Sequence, residues 1–422
     1  MTPRNPGTSR LWHRLGATEP LFQIYSDTGF RDINDHNTLS VSISRGTAGP
    51  DYGVFPQTLE VATIVPLGIR TGTPIWCELT DYALGLIAPR IGASAAHIRM
   101  RYYGRIGKQT IDDISPTEQY ATLHAAGWEA QLNNITEPVR IPSGRGIGRL
   151  VVDMSNPTGQ REPRLRQEIN LPAPSEQYGL IAETEEPSNY SEAIGKYVEN
   201  LGFYLQTKRD GTGTLWPNQY RFQYASDHRK TDMPLTRSAA ISPATWENGG
   251  TDISRNHRVE WTGPDRLYSN SYGYNTTYPN IPVVLHKMHH GKWDTNWNQP
   301  RRTAQAHLAR DAVNRYSVTS LEIDLLYLIT SRFASHRTQA KQLLELEAGD
   351  PIFLSKDWNP YVDGIQFATG ITETITPDGW RMKIDLQPSE LVTGYTSLDV
   401  PPKVWDSART EWNETAGTWH NL

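Results

Sequence analysis

Residues 364–388 read GIQFATGITETITPDGWRMKIDLQP, two runs of alternating apolar and polar residues around Pro377-Asp378-Gly379. Alternation with a period of two is the mark of a half-buried strand. Between the runs, proline sets its own φ and glycine tolerates a positive one, so a β-hairpin is expected here. Just upstream, SHRTQAKQLLELEAGD (residues 335–350) reads as a helix. Ser335 is placed to cap it, Ala340, Leu343, Leu344 and Glu347 share a side, and Gly349 is placed to stop it. PIFLS (351–355) then returns to strand. VTSLEIDLLYLITS (318–331) fits a buried strand or a helix equally, and Arg301–Arg315 looks helical.

A second strand-rich block lies at the other end of the chain. In LSVSISR (39–45), Leu39, Val41 and Ile43 alternate with serines, and TLEVATIV (58–65) repeats the pattern. TPIWCELT (73–80) is a third strand, and His97–Asp112 is a long one. Gly104 and Gly107 inside it suggest bulges or a tight corner. Gln119–Ile135 completes the block. Short strands with turns between them favour a barrel or sandwich.

The middle of the chain is less regular. Val139–Tyr178 is rich in Pro, Arg and Gly and reads as connector. Ser191 can cap a short helix with Ile194, Tyr197, Val198 and Leu201 on one face. Lys208–Tyr278 reads as strands with long loops. The expected class is mainly β with some helix (α+β), with two β-barrels and an intervening mixed domain. The boundaries are an arm (1–24), a first barrel (25–136), and a connector with a helical or mixed domain (137–210). A second barrel follows from 211–290 and 349–395, interrupted by a helical insertion (291–348), and a tryptophan-bearing tail closes the chain (396–422).

The 422 residues suffice for several domains. With 37% hydrophobic and 10% aromatic residues the chain is too apolar to be disordered. Its 41 basic against 46 acidic residues make it a poor general nucleic-acid binder. The single cysteine, Cys77, excludes an internal disulfide framework and a cysteine-rich metal site. No apolar run reaches the ~18 residues of a membrane span. The N-terminal MTPRNPGTSRLWHRLG lacks the apolar core of a secretory signal.

No catalytic, cofactor or metal residue is assigned. Gly144, Gly146 and Gly148 follow prolines and precede a strand-like LVVDM, the wrong flanks for a phosphate loop. His286, His289 and His290, with Asp294 nearby, form the densest histidine group but lack a glutamate in the HExxH position, and a solvated loop or interface patch fits them better. The carboxylate groups Asp112/Asp113, Glu183/Glu185/Glu186 and Glu345/Glu347 read as charged surface, and Cys77 as a buried, inert thiol. In the tail, Trp405, Trp412 and Trp419 recur every seven residues after Pro401-Pro402. They are expected to dock on another chain, because so polar a segment builds no core of its own. Packing on their own domain is the alternative.

The N-terminal strand series resembles the opening barrel of phage tail hub proteins, the minor tail or baseplate hub proteins of siphophages of actinobacteria. LLELEAGDPIFLS with the hairpin after it resembles the closing strands of the same family's second barrel. The positions that carry this are Gly349, Asp350, Gly370, Glu373, Ile375 and Trp380. The resemblance covers residues 38–136 and 335–420 and implies two tail-tube-like barrels per chain. It also implies a homotrimer at the distal end of the virion tail, contacting the tail tube protein, the tape measure protein and a central fibre or spike. Phage DNA would pass through its lumen without sequence-specific binding. Two readings of other classes stay beside it: a virion-associated cell-wall hydrolase, and a carbohydrate-binding receptor module suggested by the many aromatic residues.

Overall fold

In a computed structural model of the chain, the residues described are 22–26, 38–46, 53–55, 57–63, 70–115, 118–127, 130, 167–169, 203–211, 213–217, 234–235, 241–248, 256–262, 267–273, 283–287, 316–354, 364–376 and 379–388. The first strands are β1 (Phe22–Ser26), β2 (Thr38–Gly46), β3 (Gly53–Phe55), β4 (Thr58–Thr63), β5 (Pro74–Leu79), β6 (Met100–Ser115) and β7 (Glu118–Ala126). Next come β8 (Gln167–Ile169), β9 (Phe203–Thr207), β10 (Gly213–Pro217), β11 (Pro234–Leu235), β12 (Ile241–Asn248), β13 (Asn256–Thr262), β14 (Leu267–Gly273) and β15 (Val283–Lys287). The last are β16 (Tyr316–Asp324), β17 (Pro351–Leu354), β18 (Gly364–Thr376) and β19 (Gly379–Pro388). Helices α1 (Asp81–Ile91) and α2 (Ala95–Arg99) follow β5; α3 (Leu325–Thr330) and α4 (Ala334–Glu345) follow β16.

A twelve-stranded sheet dominates, with β3-β9-β10-β8 and β14-β13-β15 as smaller sheets. The large sheet divides into two halves, β1-β5-β6-β7-β4-β2 and β11-β17-β18-β19-β16-β12, joined where β2 pairs with β18. Ranked along the chain, the last five strands of each half stand in one order, third, fourth, fifth, second, first. All neighbours within those two sets of five are antiparallel. The helices interrupt the halves at different points, before the fourth strand in one and before the third in the other. Inward-facing residues of both halves, among them Val41, Ile43, Leu59, Val61, Leu123, Ile371, Ile375, Met382 and Ile384, form one core with Leu84, Ile87, Leu328, Leu343 and Leu344 of the helices. Alternating burial along β2, β4, β5 and β7 is the sheet pleat read directly in accessibility.

Most expected strands are present within a few residues of their expected ends. The ambiguous 318–331 is both things in succession. Val318, Leu321 and Ile323 are buried in β16, then the Asp324 carboxylate accepts the Tyr327 N–H at 2.9 Å and starts α3. This places a core strand inside 291–348, the stretch expected to be a helical insertion. Likewise β1 begins within the expected arm and pairs with β5.

Other expectations need correction. Residues 81–99 hold two helices that the sequence reading missed, so β6 starts at Met100 rather than His97. The Thr80 hydroxyl accepts the Ala83 N–H at 3.0 Å, and Ala83, Leu84, Ile87, Ala88 and Ile91 give α1 its buried face. Gly85 and Pro89 dilute its helix propensity, but tertiary burial outweighs propensity. Ser335 does not cap α4. The N-cap is Phe333, whose N–H donates to the Ser331 hydroxyl at 3.2 Å. The helix ends at Glu345, so Glu347 lies beyond it, and Gly349 makes a later turn at φ 95°. Gly379 does not take a positive φ; it opens β19 opposite Thr376. The bulge expected near Gly107 is present, between Ile106 and Lys108.

Several expectations fall outside the described residues. These are the arm before Phe22, the glycine run 144–148, the helix near Ser191, Arg301–Arg315, His289, His290, Asp294, and Trp405, Trp412 and Trp419.

Candidate functional site

Where the halves of the sheet meet, the core is ionic. Glu373 on β18 sits opposite Ile43 of β2 with no exposure, although strand alternation there calls for an apolar residue. Its carboxylate accepts four hydrogen bonds. Arg45 Nη2 donates at 2.8 Å, Arg101 Nη2 at 2.6 Å, Arg101 Nε at 3.2 Å and Trp380 Nε1 at 3.2 Å. The two-pronged contact from Arg101 is the geometry in which a guanidinium binds a carboxylate most strongly. The Arg101 guanidinium also lies 5.8 Å from the Trp380 ring centroid, and Phe22 packs edge-on against that ring at 4.9 Å.

The remaining donors tie in the connections around the joint. Arg45 Nη1 donates to the Arg101 carbonyl at 2.9 Å, and Arg101 Nη1 to the Leu344 carbonyl at 2.8 Å. Arg209, from the turn between β9 and β10, pairs with Glu347 and donates to the Leu344 and His97 carbonyls. The Asp350 carboxylate accepts the Glu347 N–H at 3.0 Å and attracts Arg209. Three guanidinium groups thus face three carboxylates, so the cluster is close to neutral. Burial of such charges is tolerable only with this degree of pairing.

Burial by itself pushes the Glu373 carboxyl up, but Arg101 and then Arg45 overcome it and bring its pKa down to about 2. Glu347 behaves alike: burial opposes ionisation, Arg209 and Arg45 favour it, and the pKa falls. Burial lowers Arg101, against the pull of Glu373, to about 10, so it keeps its proton at neutral pH. Burial likewise opposes the Arg209 charge, but Glu347 outweighs it and the pKa rises. An acid that is ionised throughout the physiological range and sealed from solvent does not exchange protons with a substrate. The site's chemistry is cohesion.

The six positions singled out in the sequence gather around this joint. Gly349 and Asp350 form the turn into β17, with the Gly349 N–H donating to the Ala368 carbonyl at 2.6 Å and the Ala368 N–H to the Asp350 carbonyl at 2.9 Å. Gly370 pairs with Gly46, and Ile375 pairs with Trp380 across the hairpin. Gly46 adopts φ 75°, and a Cβ there would stand 2.0 Å from the Thr369 carbonyl oxygen. The sequence reading missed Arg45, Arg101 and Arg209 and assigned Glu347 to the surface. One signal was available: in TLSVSISR the apolar alternation Leu39, Val41, Ile43 runs on to Arg45, an inward position occupied by a charge.

Cys77 is buried on β5, and burial first and Glu373 second push its thiol far up, which agrees with an inert reading. Among the described residues no cluster of His, Cys, Asp or Glu suits a metal ion, and no helix is long and apolar enough to cross a membrane.

Solved structures show where this architecture occurs. The fold is shared with the 43 kDa tail protein of prophage MuSo2 from Shewanella oneidensis, at 9% identity and TM-score 0.55 over 88% of this chain and 99% of that one. It is shared also with the tail protein from Neisseria meningitidis MC58, at 13% identity and TM-score 0.56 over 88% of this chain and 98% of that one. At such identities the likeness is one of fold. No family model matches the chain, and no curated protein matches it in sequence.

Proposed function

We propose that this chain is a structural protein of a phage tail, a homotrimeric hub at the distal end of the virion tail. In this role it joins the tail tube to the tip and gates release of DNA, which passes through the lumen without sequence-specific contacts. Its neighbours are the tube protein, the tape measure protein and a central fibre or spike. The observation that carries the reading is the doubled strand order, in a fold shared with a prophage tail protein and a second tail protein. Two like half-sheets per chain let three chains offer six equivalent units to a six-fold tube, each half closing a tube-like barrel with its neighbours. The role is non-enzymatic: the joint's carboxylates serve cohesion and Cys77 is sealed.

Negative-stain microscopy of the purified chain, with its mass from light scattering, tests this. Three-fold rings with six peripheral densities are expected. A monomer at all concentrations overturns the hub, and clearing of host cell wall in a zymogram favours the hydrolase.

A further inference from the structure

We infer that the turn between α3 and α4 is the receptor for the tryptophan-bearing tail (396–422) of a second copy of this chain. Four large hydrophobic side chains are exposed among the described residues, and two of them, Tyr327 at 38% and Phe333 at 51%, stand at this turn. Neither serves the fold. α3 buries Leu325, Leu326, Leu328 and Ile329 and leaves Tyr327 outside. Phe333 holds the N-cap of α4, where a short polar side chain satisfies an orphan N–H and an aromatic one does not. Exposed aromatic surface that the helices do not need marks a contact.

The turn is also shaped and charged. The His336 ring packs against both aromatics, 5.9 Å from Tyr327 and 5.3 Å from Phe333, and its Nδ1 lies 2.9 Å from the Ser331 hydroxyl. The Arg332 guanidinium is 5.2 Å from the Phe333 ring centroid. Arg337 donates to the Ser331 and Arg332 carbonyls at 3.3 and 3.2 Å. Arg90, at the end of α1, donates to the Ile329 and Thr330 carbonyls at 2.9 and 2.8 Å. These bonds fix the turn before anything binds, so docking there orders little. From Leu325 to Leu344 the sequence has Arg332, Arg337 and Lys341 and no Asp or Glu. The partner that fits is a segment with aromatic rings and carboxylates side by side, the rings to stack and the carboxylates to meet the guanidinium groups.

The tail has that chemistry. Beyond Pro388 the chain carries Glu390, Asp399, Asp406, Glu411 and Glu414 against Lys403 and Arg409. Two of its indoles have a carboxylate beside them in sequence, in Trp405-Asp406 and Glu411-Trp412. Reach selects a second copy. Asp324, from which α3 starts, pairs with Arg381 near the start of β19, whereas the tail leaves from the end of β19 at Pro388. The seven residues between are about 24 Å of strand, so a chain's own turn lies behind the exit of its tail. Pro401-Pro402 favours an extended course and works against doubling back. Forward, the 17 residues from Pro388 to Trp405 span up to about 58 Å, enough to reach a neighbour. That a neighbour stands there rests on the hub reading; the receptor rests on the chemistry of the turn.

The test uses the full chain. Phe333→benzoylphenylalanine places a photo-reactive ring at the turn, and the irradiated protein is run on a denaturing gel and digested for mass spectrometry. Covalent dimers and trimers joined through residues 403–420 are expected. Cross-links confined to one chain, or made to other segments, overturn the proposal. In a second arm, light scattering measures the concentration of half-assembly. It compares Tyr327→Ser with Phe333→Ser in one chain, removal of residues 401–422, and both changes together. Each change by itself is expected to raise that concentration at least about tenfold, and the combination no further, because both remove one contact. Tyr327 and Phe333 are exposed, so the unfolding midpoint of the double variant is expected at or above that of the wild type, which shows that it folds. Additive losses, or normal assembly of the double variant beside a weakened truncation, overturn the turn as receptor and leave the hub standing. A wild-type monomer at every concentration overturns both.

Discussion

Glu373→Gln changes one charge and almost no volume at the centre of the joint. The amide keeps one acceptor oxygen but presents an NH2 where the carboxylate accepted from Arg45, Arg101 or Trp380. At least one donor then faces a donor, and two buried guanidiniums lose their common counter-charge. Breaking a buried ion pair from one side costs about 3–5 kcal/mol. The pKa leads to a similar figure. A fall from 4.5 to about 2 is worth about 3 kcal/mol at about 1.4 kcal/mol per pH unit. The folded-state pKa is the lower one, so this contribution is complete above about pH 4.5 and is lost as pH falls from there through about 2. Urea unfolding followed by tryptophan fluorescence measures both effects. At pH 7 the variant is expected to lose about 3–5 kcal/mol. Its stability is also expected to fall less steeply than the wild type's between pH 4.5 and 2, with Glu347, whose pKa is also lowered, contributing to the slope that remains. A loss below about 1 kcal/mol with an unchanged acid limb refutes the claim that Glu373 is the counter-charge of the joint.

Gly46→Ala is expected to cost more than about 2 kcal/mol or to abolish soluble expression, because it combines a left-handed backbone with a Cβ driven onto the Thr369 carbonyl; an unfolding midpoint equal to wild type counts against the close approach of β2 and β18. Cys77 is expected to be silent toward a thiol reagent in the native chain and to react fully in denaturant, and stoichiometric native labelling contradicts its burial. Removing residues 401–422 is expected to leave the unfolding free energy within about 0.5 kcal/mol of wild type while weakening assembly. Replacing Trp405, Trp412 or Trp419 singly with Ala is expected to weaken it by about 2 kcal/mol each; assembly at wild-type concentration, read by light scattering, rules out docking by the tail.

The residues themselves made the β-rich class and most strands of the large sheet legible. Period-two burial writes itself into the sequence of β2, β4, β5, β18 and β19, because each buries one face. The 318–331 segment shows the limit of that logic. A continuous apolar run has no period to read, and a single local event, the Asp324 carboxylate capping α3, separates strand from helix. α1 was lost for another reason. Gly85 and Pro89 weaken the local signal, and the helix is held by its buried face and by Arg90 donating to the Ile329 carbonyl at 2.9 Å. That partner lies far along the chain. The ionic joint was the least legible feature. Arg45, Arg101, Arg209, Glu347 and Glu373 come from five separate segments; the resemblance singles out Glu373 and strand alternation points Arg45 inward, but Arg101, Arg209 and Glu347 each look like surface charge when read alone. Only the pairing of β2 with β18 closes the loop between them, and only burial in that joint turns ordinary side chains into mutually necessary ones. The order of strands within each half is likewise a tertiary fact. The sequence suggested two strand-rich blocks of like kind, but which edges meet, and which stay open, depends on contacts between residues hundreds of positions apart that no local pattern encodes.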